Sequence, residues 1–376
     1  MDHTKRPYLI APKLIEQPTW GGEYIVAYKN WQHIPSLKSA VIGQSYELYG
    51  NSTLHLNILD SQDAQFGPEA IGSKDTVNLD TLIKEDPAGM LGAKVVAKTG
   101  TVMPLLIKFT QAKGNSFQLH KTPTVEDSRW MPKAESWYFF EKGKITLGLV
   151  PNVDMVAYKA SCLLIEAHMK ELSKNVLEKS MDLDVARKDA SAFITAQNPW
   201  QYVGVFPIEK GSLIDLSGGG LHHSWEEDPT LPFGNVVYEV QQDVADDPST
   251  IRSFDQGKIK DDGSIRTIHI EDYFRHIDTD PIRNDIANAT RKAQGDMLLS
   301  TTYYSMDEVS MVEEKTLTIT NSFEHIFVKD GDVTIQVGDV SVRVTKGHSC
   351  FIPFGVASYR VLPKVPSIIL KTFINA

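Results

Sequence analysis

Ser116, Gln118 and His120 alternate along Ser116-Phe117-Gln118-Leu119-His120. In a β-strand that spacing puts a hydroxyl, a carboxamide and an imidazole on one face, with Phe117 and Leu119 on the other. A barrel strand ordinarily turns its apolar side inward, so three polar groups on one face mark either a solvent-facing edge or a site. Further on, Lys133-Ala134-Glu135-Ser136-Trp137-Tyr138-Phe139-Phe140 reads as a second strand, with Lys133 and Glu135 sharing a face. Gln118, His120 and Glu135 then form a possible metal cluster of nitrogen and oxygen donors. In the strand expected over residues 103–109, Lys108 shares a face with Leu106 and Thr110. It either snorkels at an edge or points at the same interior as Gln118.

The elements that must position these residues are mostly strands. The first 110 residues alternate turn signals with short apolar or aromatic runs, Tyr8-Leu9-Ile10, Trp20-Gly21-Gly22, Val41-Ile42-Gly43 and Ser45-Tyr46-Glu47-Leu48-Tyr49, which predicts an all-β opening. Thr81-Leu82-Ile83-Lys84 reads as a short helix ending before Pro87. After a turn at residues 141–144, Met155, Tyr158, Cys162, Ile165, Met169, Leu172 and Val176 recur at spacings of three and four. That pattern predicts an amphipathic helix capped by Asp154, and a second helix is expected over about residues 182–196, together a helical hairpin inserted into a β-domain. Strands resume at Val203-Gly204-Val205-Phe206.

An internal repeat follows. Aligning Gly211 with Gly347 sets Gly219 on Gly355 and His222 on Ser358 without a gap. The second copy follows residues 327–338, where Asp330-Gly331 is a hairpin turn signal, so the chain is expected to hold two related barrels. The first keeps a histidine where the second has serine.

The chain has 376 residues, 41% of them hydrophobic, enough for a large core or for two to three compact units. The N-terminus has charge but no apolar signal core, and no run approaches the roughly twenty apolar residues that span a bilayer, so a cytoplasmic location and no membrane partner are expected. The two cysteines, Cys162 and Cys350, suit reduced, buried thiols better than a disulfide. A formal charge of −10 argues against nucleic acid as a partner, since phosphate backbones demand a basic face, while a small anion can still bind in a local basic pocket.

Glycine-rich turns before a strand-borne histidine are the cupin pattern, and the chain resembles the type I phosphomannose isomerase (mannose-6-phosphate isomerase) family. The matching pieces are Trp20-Gly21-Gly22, Pro104-Leu105-Leu106-Ile107-Lys108, residues 116–120 and 133–138, the glycine-rich approach to His222, Tyr238-Glu239-Val240-Gln241-Gln242 and Arg252-Ser253-Phe254-Asp255. The resemblance implies a mainly β fold of two cupin-type β-barrels, a bicupin, with an inserted α-helical segment. Residues 1–152 and 199–260 would form the catalytic barrel, 153–198 the helical insertion, and 261–376 a C-terminal barrel without metal. It implies one Zn²⁺ per chain held by Gln118, His120, Glu135 and His222. It further implies an essential Arg252 with Lys108 and Lys133 in the catalytic set, and Ser116 and Lys258 facing the phosphate of a sugar phosphate. Two departures stand out, Lys121 where the family usually has proline, and Ser217 in a turn that usually carries one. His223 is an alternative ligand to His222, and strand register favours His222.

Two imidazoles, one carboxylate and one neutral carboxamide leave zinc a Lewis acid towards sugar oxygens, where a structural site would more often be closed by thiolates. An aldose–ketose isomerase removes a proton beside a carbonyl and returns it to the neighbouring carbon through an enediol, whose charge Arg252 would stabilise. Lys133, Lys108 and Glu239 are each candidates to carry the proton. The competing expectations are a non-catalytic or regulatory sugar-binding bicupin, an isomerase of a different sugar, and a cupin-class metal-dependent oxygenase. The oxygenase is disfavoured by Gln118 as a fourth ligand and by the phosphate-type basic residues.

Overall fold

Alternating sequence becomes paired strands over most of the chain. The computed structural model describes residues 2–62, 75–114, 117–224, 228–255 and 257–375. Their strands form sheets of eight, five, seven and four strands, joined by short helices and two long ones. The fold is mainly β and cupin-like. None of the described helices is long and apolar enough to cross a membrane.

Nine strands carry the first half: β1 (Leu105–Ala112), β2 (Phe117–His120), β3 (Glu135–Phe139), β4 (Gly143–Leu149), β5 (Val203–Ile208), β6 (Leu213–Asp215), β7 (Gly220–Ser224), β8 (Asn235–Gln242) and β9 (Ile251–Phe254). Eight more carry the second: β10 (Ser305–Met311), β11 (Lys315–Thr318), β12 (Glu324–Asp330), β13 (Asp332–Val337), β14 (Val340–Thr345), β15 (Ser349–Ile352), β16 (Ser358–Pro363) and β17 (Ser367–Phe373). The pairing scheme repeats. β8 lies between β1 and β3, β3 pairs β6, and β4 lies between β5 and β7, which also pairs β2. In the same order β17 lies between β10 and β12, β12 pairs β15, and β13 lies between β14 and β16, which also pairs β11. The repeat expected from Gly211 and Gly347 is thus a repeat of topology, and both glycines sit at the same left-handed backbone conformation, φ 83° and 81°.

Between β4 and β5, where the second half has only a tight turn, the chain forms α1 (Met155–Leu177) and α2 (Leu183–Gln197). Asp154 caps the first by accepting from Val156 N and Ala157 N, and Asp182 caps the second. The buried stripe of α1 is Tyr158, Cys162, Ile165, Met169 and Leu172, packed with Phe117, Leu119 and Leu221 from the strands that carry the site.

The opening differs from the expected all-β run. The helix expected before Pro87 is present, Leu79–Glu85 with Asn78 as its cap, and the additions are Tyr24–Tyr28, Pro87–Leu91, begun by the Asp86 cap and Pro87, and Ala93–Thr99. Trp20-Gly21-Gly22 is a turn with a single bridge, Gly22 to Ile42, and a Cβ on Gly21 would stand 2.7 Å from Gly43 N. The two runs at residues 41–49 are one strand, Ile42–Leu48.

The main core is continuous across the two halves. Phe109 lies 5.5 Å and Phe140 5.9 Å from the Phe327 ring. Tyr8–Ala11 pairs with β15. A fully buried ion pair, Lys29 to Glu47 at 2.7 Å, is tied to the second half by Ser349 Oγ donating to Glu47 Oε2 at 2.7 Å. Satisfied on every side, such a pair fixes the register of the segments it joins.

Candidate metal centre

β2 and β7 run antiparallel with His222 opposite Gln118 and Gly220 opposite His120. Strand alternation therefore brings Gln118, His120 and His222 to one face, and Glu135 at the start of β3 closes the group. His120, Glu135 and His222 are all buried, and their ligand atoms lie within 4.8 Å of one another. His120 Nε2 stands 3.1 Å from Glu135 Oε2, His222 Nε2 stands 2.8 Å from Glu135 Oε1, and the Gln118 carboxamide lies 3.3 Å from His222 Nε2.

The protonation pattern of this group is that of a metal site. His120 Nδ1 donates to the Ser249 carbonyl at 2.7 Å and His222 Nδ1 donates to the Gly220 carbonyl at 3.1 Å. A carbonyl only accepts, so each ring carries a proton on Nδ1 and turns its Nε2 towards the Glu135 carboxylate. Burial, with Lys133 alongside, pushes His120 down to about 4, so the ring is neutral at ordinary pH. Burial works to raise the Glu135 carboxyl, but the Lys133 ammonium at 3.0 Å holds it well below the usual range. A neutral His120 ring facing a carboxylate in the dry interior suits a cation held between them, and Glu135 Oε1 is buried without a hydrogen bond. Two imidazoles, a carboxylate and a carboxamide fit zinc.

His223, one residue on, points the other way. Its ring packs on Phe117 at 4.2 Å and its Nδ1 meets Thr146 Oγ1 at 3.0 Å, while burial holds it well below its ordinary value.

Charged residues line the same interior. Lys133 Nζ is 3.0 Å from Glu135 Oε2, and Lys108 Nζ is 2.8 Å from Glu239 Oε1. Arg252 on β9 is opposite Gln118, and its guanidinium pairs with Asp246. These residues keep a small exposure, 8% for Lys108, 7% for Lys133, 6% for Glu239 and 8% for Arg252, so the space between them is not sealed from solvent. Lys258 lies beyond β9, donating to the Gly114 carbonyl at 3.1 Å. Ser116 falls outside the described residues.

Sequence reading passed over two neighbours, Trp137 and the Ser249 carbonyl, while strand alternation already turns Gln241 inward. Trp137 stands edge-on to His222 at 5.4 Å, and its alternation with Glu135 was the available signal. Gln241 is opposite Glu135 and has a buried Oε1 without a partner. The Ser249 carbonyl that orients His120 left no trace in the sequence, since any residue supplies a carbonyl.

A cavity of about 1500 Å³ lies elsewhere, lined by residues such as Trp20, Tyr24, Tyr28 and Phe233 together with Lys329 and Lys346. It contains none of the His120, Glu135 and His222 side chains, and the donor geometry locates the chemistry better than cavity size does.

The family model described as mannose-6-phosphate isomerase, cupin domain, matches residues 295–369. No curated protein matches the chain. Solved structures do. The mannose 6-phosphate isomerase of Bacillus subtilis is 16% identical with a TM-score of 0.65, the match covering 98% of this chain and 99% of that one. A putative mannosephosphate isomerase from Archaeoglobus fulgidus is 15% identical with a TM-score of 0.64, covering 98% of each chain. The Salmonella typhimurium mannose 6-phosphate isomerase bound to substrate and a zinc atom is 12% identical with a TM-score of 0.65, covering 98% of this chain and 100% of that one.

Proposed function

We propose that this chain, which belongs with the type I mannose-6-phosphate isomerase family of the cupin superfamily, interconverts mannose 6-phosphate and fructose 6-phosphate through an enediol, with one zinc ion per chain. The observation that carries the reading is the pair of imidazoles whose Nδ1 protons are committed to carbonyls while both Nε2 atoms face one buried carboxylate. The two sets of strands are read as two cupin-type barrels. Residues 1–152, apart from Tyr8–Ala11, which pairs with β15, and 199–260 form the catalytic one, 153–198 the helical insertion, and 261–376 the second, metal-free one.

Gln118, His120, Glu135 and His222 would hold the zinc, which supplies a Lewis acid for the sugar oxygens. Arg252 places a fixed positive charge where the enediolate develops. Glu239 takes the proton from one carbon and returns it to the next. A carboxylate is a base at neutral pH without losing a proton first, and Lys108 Nζ at 2.8 Å fixes its orientation. Lys133, bonded to Glu135, keeps that ligand charged and orders the wall beside the sugar. Ser116 and Lys258 receive the phosphate, which places the reacting carbons at the metal and makes an acidic protein attractive to an anionic substrate. A small sugar phosphate in the cytoplasm is the partner proposed.

The test is a coupled isomerase assay of the zinc-loaded protein on mannose 6-phosphate, with free mannose beside it and metal analysis of the same sample. Turnover of the phosphate, far slower turnover of mannose, and loss of both zinc and activity in His120→Ala are expected. Full metal occupancy in His120→Ala, or equal turnover of both sugars, would sink the reading.

A further inference from the structure

One short segment touches the site at three places. In residues 246–250 the Ser249 carbonyl accepts from His120 Nδ1 at 2.7 Å, the Pro248 carbonyl accepts from Met131 N at 3.1 Å just before Lys133, and the Asp246 carboxylate pairs with Arg252. The segment is itself tied down, with Thr250 N donating to the Asp246 carbonyl at 2.8 Å and Thr250 Oγ1 donating to Asp246 Oδ1 at 2.8 Å. Asp246 thus spends one oxygen on its own loop and the other on Arg252. The two partners differ in burial, since the Asp246 side chain is 68% exposed and that of Arg252 is 9%. Arg252 Nε is buried with no partner.

We infer that Asp246 is a positioning residue for Arg252, and that segment 246–250 sets Arg252 and His120 in a single register. The catalytic consequence rests on the isomerase reading above. Guanidinium is a planar fork of five donors, so holding one nitrogen from outside fixes the plane and the direction in which the remaining donors face. An arginine that must meet charge formed only in the transition state gains from being placed beforehand, and a displacement of about 1 Å costs rate and leaves binding largely intact. The same segment carries the carbonyl that sets the His120 tautomer, so any shift of Arg252 relative to the metal ligands is resisted by backbone. Asp246 touches neither the ligand donors nor the interior.

The experiment compares zinc-loaded full-length protein with Asp246→Asn and Asp246→Glu. The asparagine keeps size and loses charge, the glutamate keeps charge, and the exposed position tolerates both. Expected for Asp246→Asn are a kcat on mannose 6-phosphate lower by about ten-fold, a KM within about two-fold and unchanged zinc content, with Asp246→Glu recovering most of the rate. A readout independent of turnover is hydrogen exchange of the Arg252 Nε–H in arginine-labelled protein by NMR, expected to quicken about ten-fold or more in Asp246→Asn and to stay slow in Asp246→Glu. Unchanged exchange in Asp246→Asn overturns the inference, as does a fall in zinc content that accounts for the lost rate. If the unaltered protein isomerises nothing, the functional reading falls, and the exchange measurement still decides whether Asp246 holds Arg252.

Discussion

Lys258 shows how much a single residue's meaning depends on its neighbours. By sequence it is a lysine after a turn. In the fold its ammonium donates to the Gly114 carbonyl at 3.1 Å, beside the N-terminal end of the strand that bears Gln118 and His120. On the proposed function, a cation at that end would meet the far end of a sugar whose reacting carbons are at the metal. Its loss should therefore weaken binding of the phosphate and leave the chemical step largely alone. Lys258→Ala is expected to raise KM for mannose 6-phosphate about ten-fold, the factor for losing about 1.4 kcal/mol, with a smaller change in kcat. A steady-state assay in which kcat falls and KM holds would remove Lys258 from the phosphate site.

At the scale of elements, α1 and α2 stand where the second half has a two-residue hairpin turn. The spacing of Tyr158, Cys162, Ile165, Met169 and Leu172 drives them onto the outer face of β2 and β7, opposite the face bearing the metal donors. The helices thus support the site from behind. Asp154 begins that support by accepting two backbone N–H groups, at 3.0 and 2.9 Å. Asp154→Ala should cost about 1 kcal/mol, read as a lower denaturant midpoint with unchanged zinc content. An unchanged midpoint would mean that water satisfies those donors as well as the carboxylate does.

Across the whole molecule the repeated topology lets equivalent positions be compared. In the first half Glu239 is opposite Lys108 and Gln241 is opposite Glu135. In the second, Lys371 is opposite Asp307 and Phe373 is opposite Glu324. Lys371 bridges Asp307 at 3.1 Å and Glu324 at 3.4 Å, and Tyr359 donates to Glu324 at 2.5 Å. One ammonium there is shared by two carboxylates. The shared core also buries His325 and His348, which burial pushes down to about 3 each. Below pH 6.5 the unfolded chain takes up protons that these folded rings refuse, so stability is complete above 6.5 and is lost as pH falls from 6.5 towards 3. The loss is on the order of 1 kcal/mol per pH unit for each ring. Denaturant midpoints measured from pH 7.5 to 5.5 should fall, and fall less steeply in His348→Asn. Parallel slopes for the two proteins would count against burial of a neutral ring at 348.

Local periodicity by itself determined that Gln118 and His120 share a face, that His222 and His223 do not, and that residues 155–177 coil into a helix capped by Asp154. Alternation and the 3.6-residue turn are properties of adjacent residues, so they are written wherever the chain is read. The repeat was legible for the same reason, since two stretches of like pattern fold alike. Tertiary structure alone decided which strands lie side by side, that Tyr8–Ala11 joins the sheet of the second half, and that Lys29 and Glu47 meet Ser349. It also decided that the Ser249 carbonyl and the Asp246 carboxylate face His120 and Arg252. Those are contacts between segments far apart in sequence, made by backbone groups every residue carries or by side chains common on any surface. Of the early helices, Leu79–Glu85 was legible from Thr81-Leu82-Ile83-Lys84 ahead of Pro87, whereas Tyr24–Tyr28, Pro87–Leu91 and Ala93–Thr99 are runs too short to show a period.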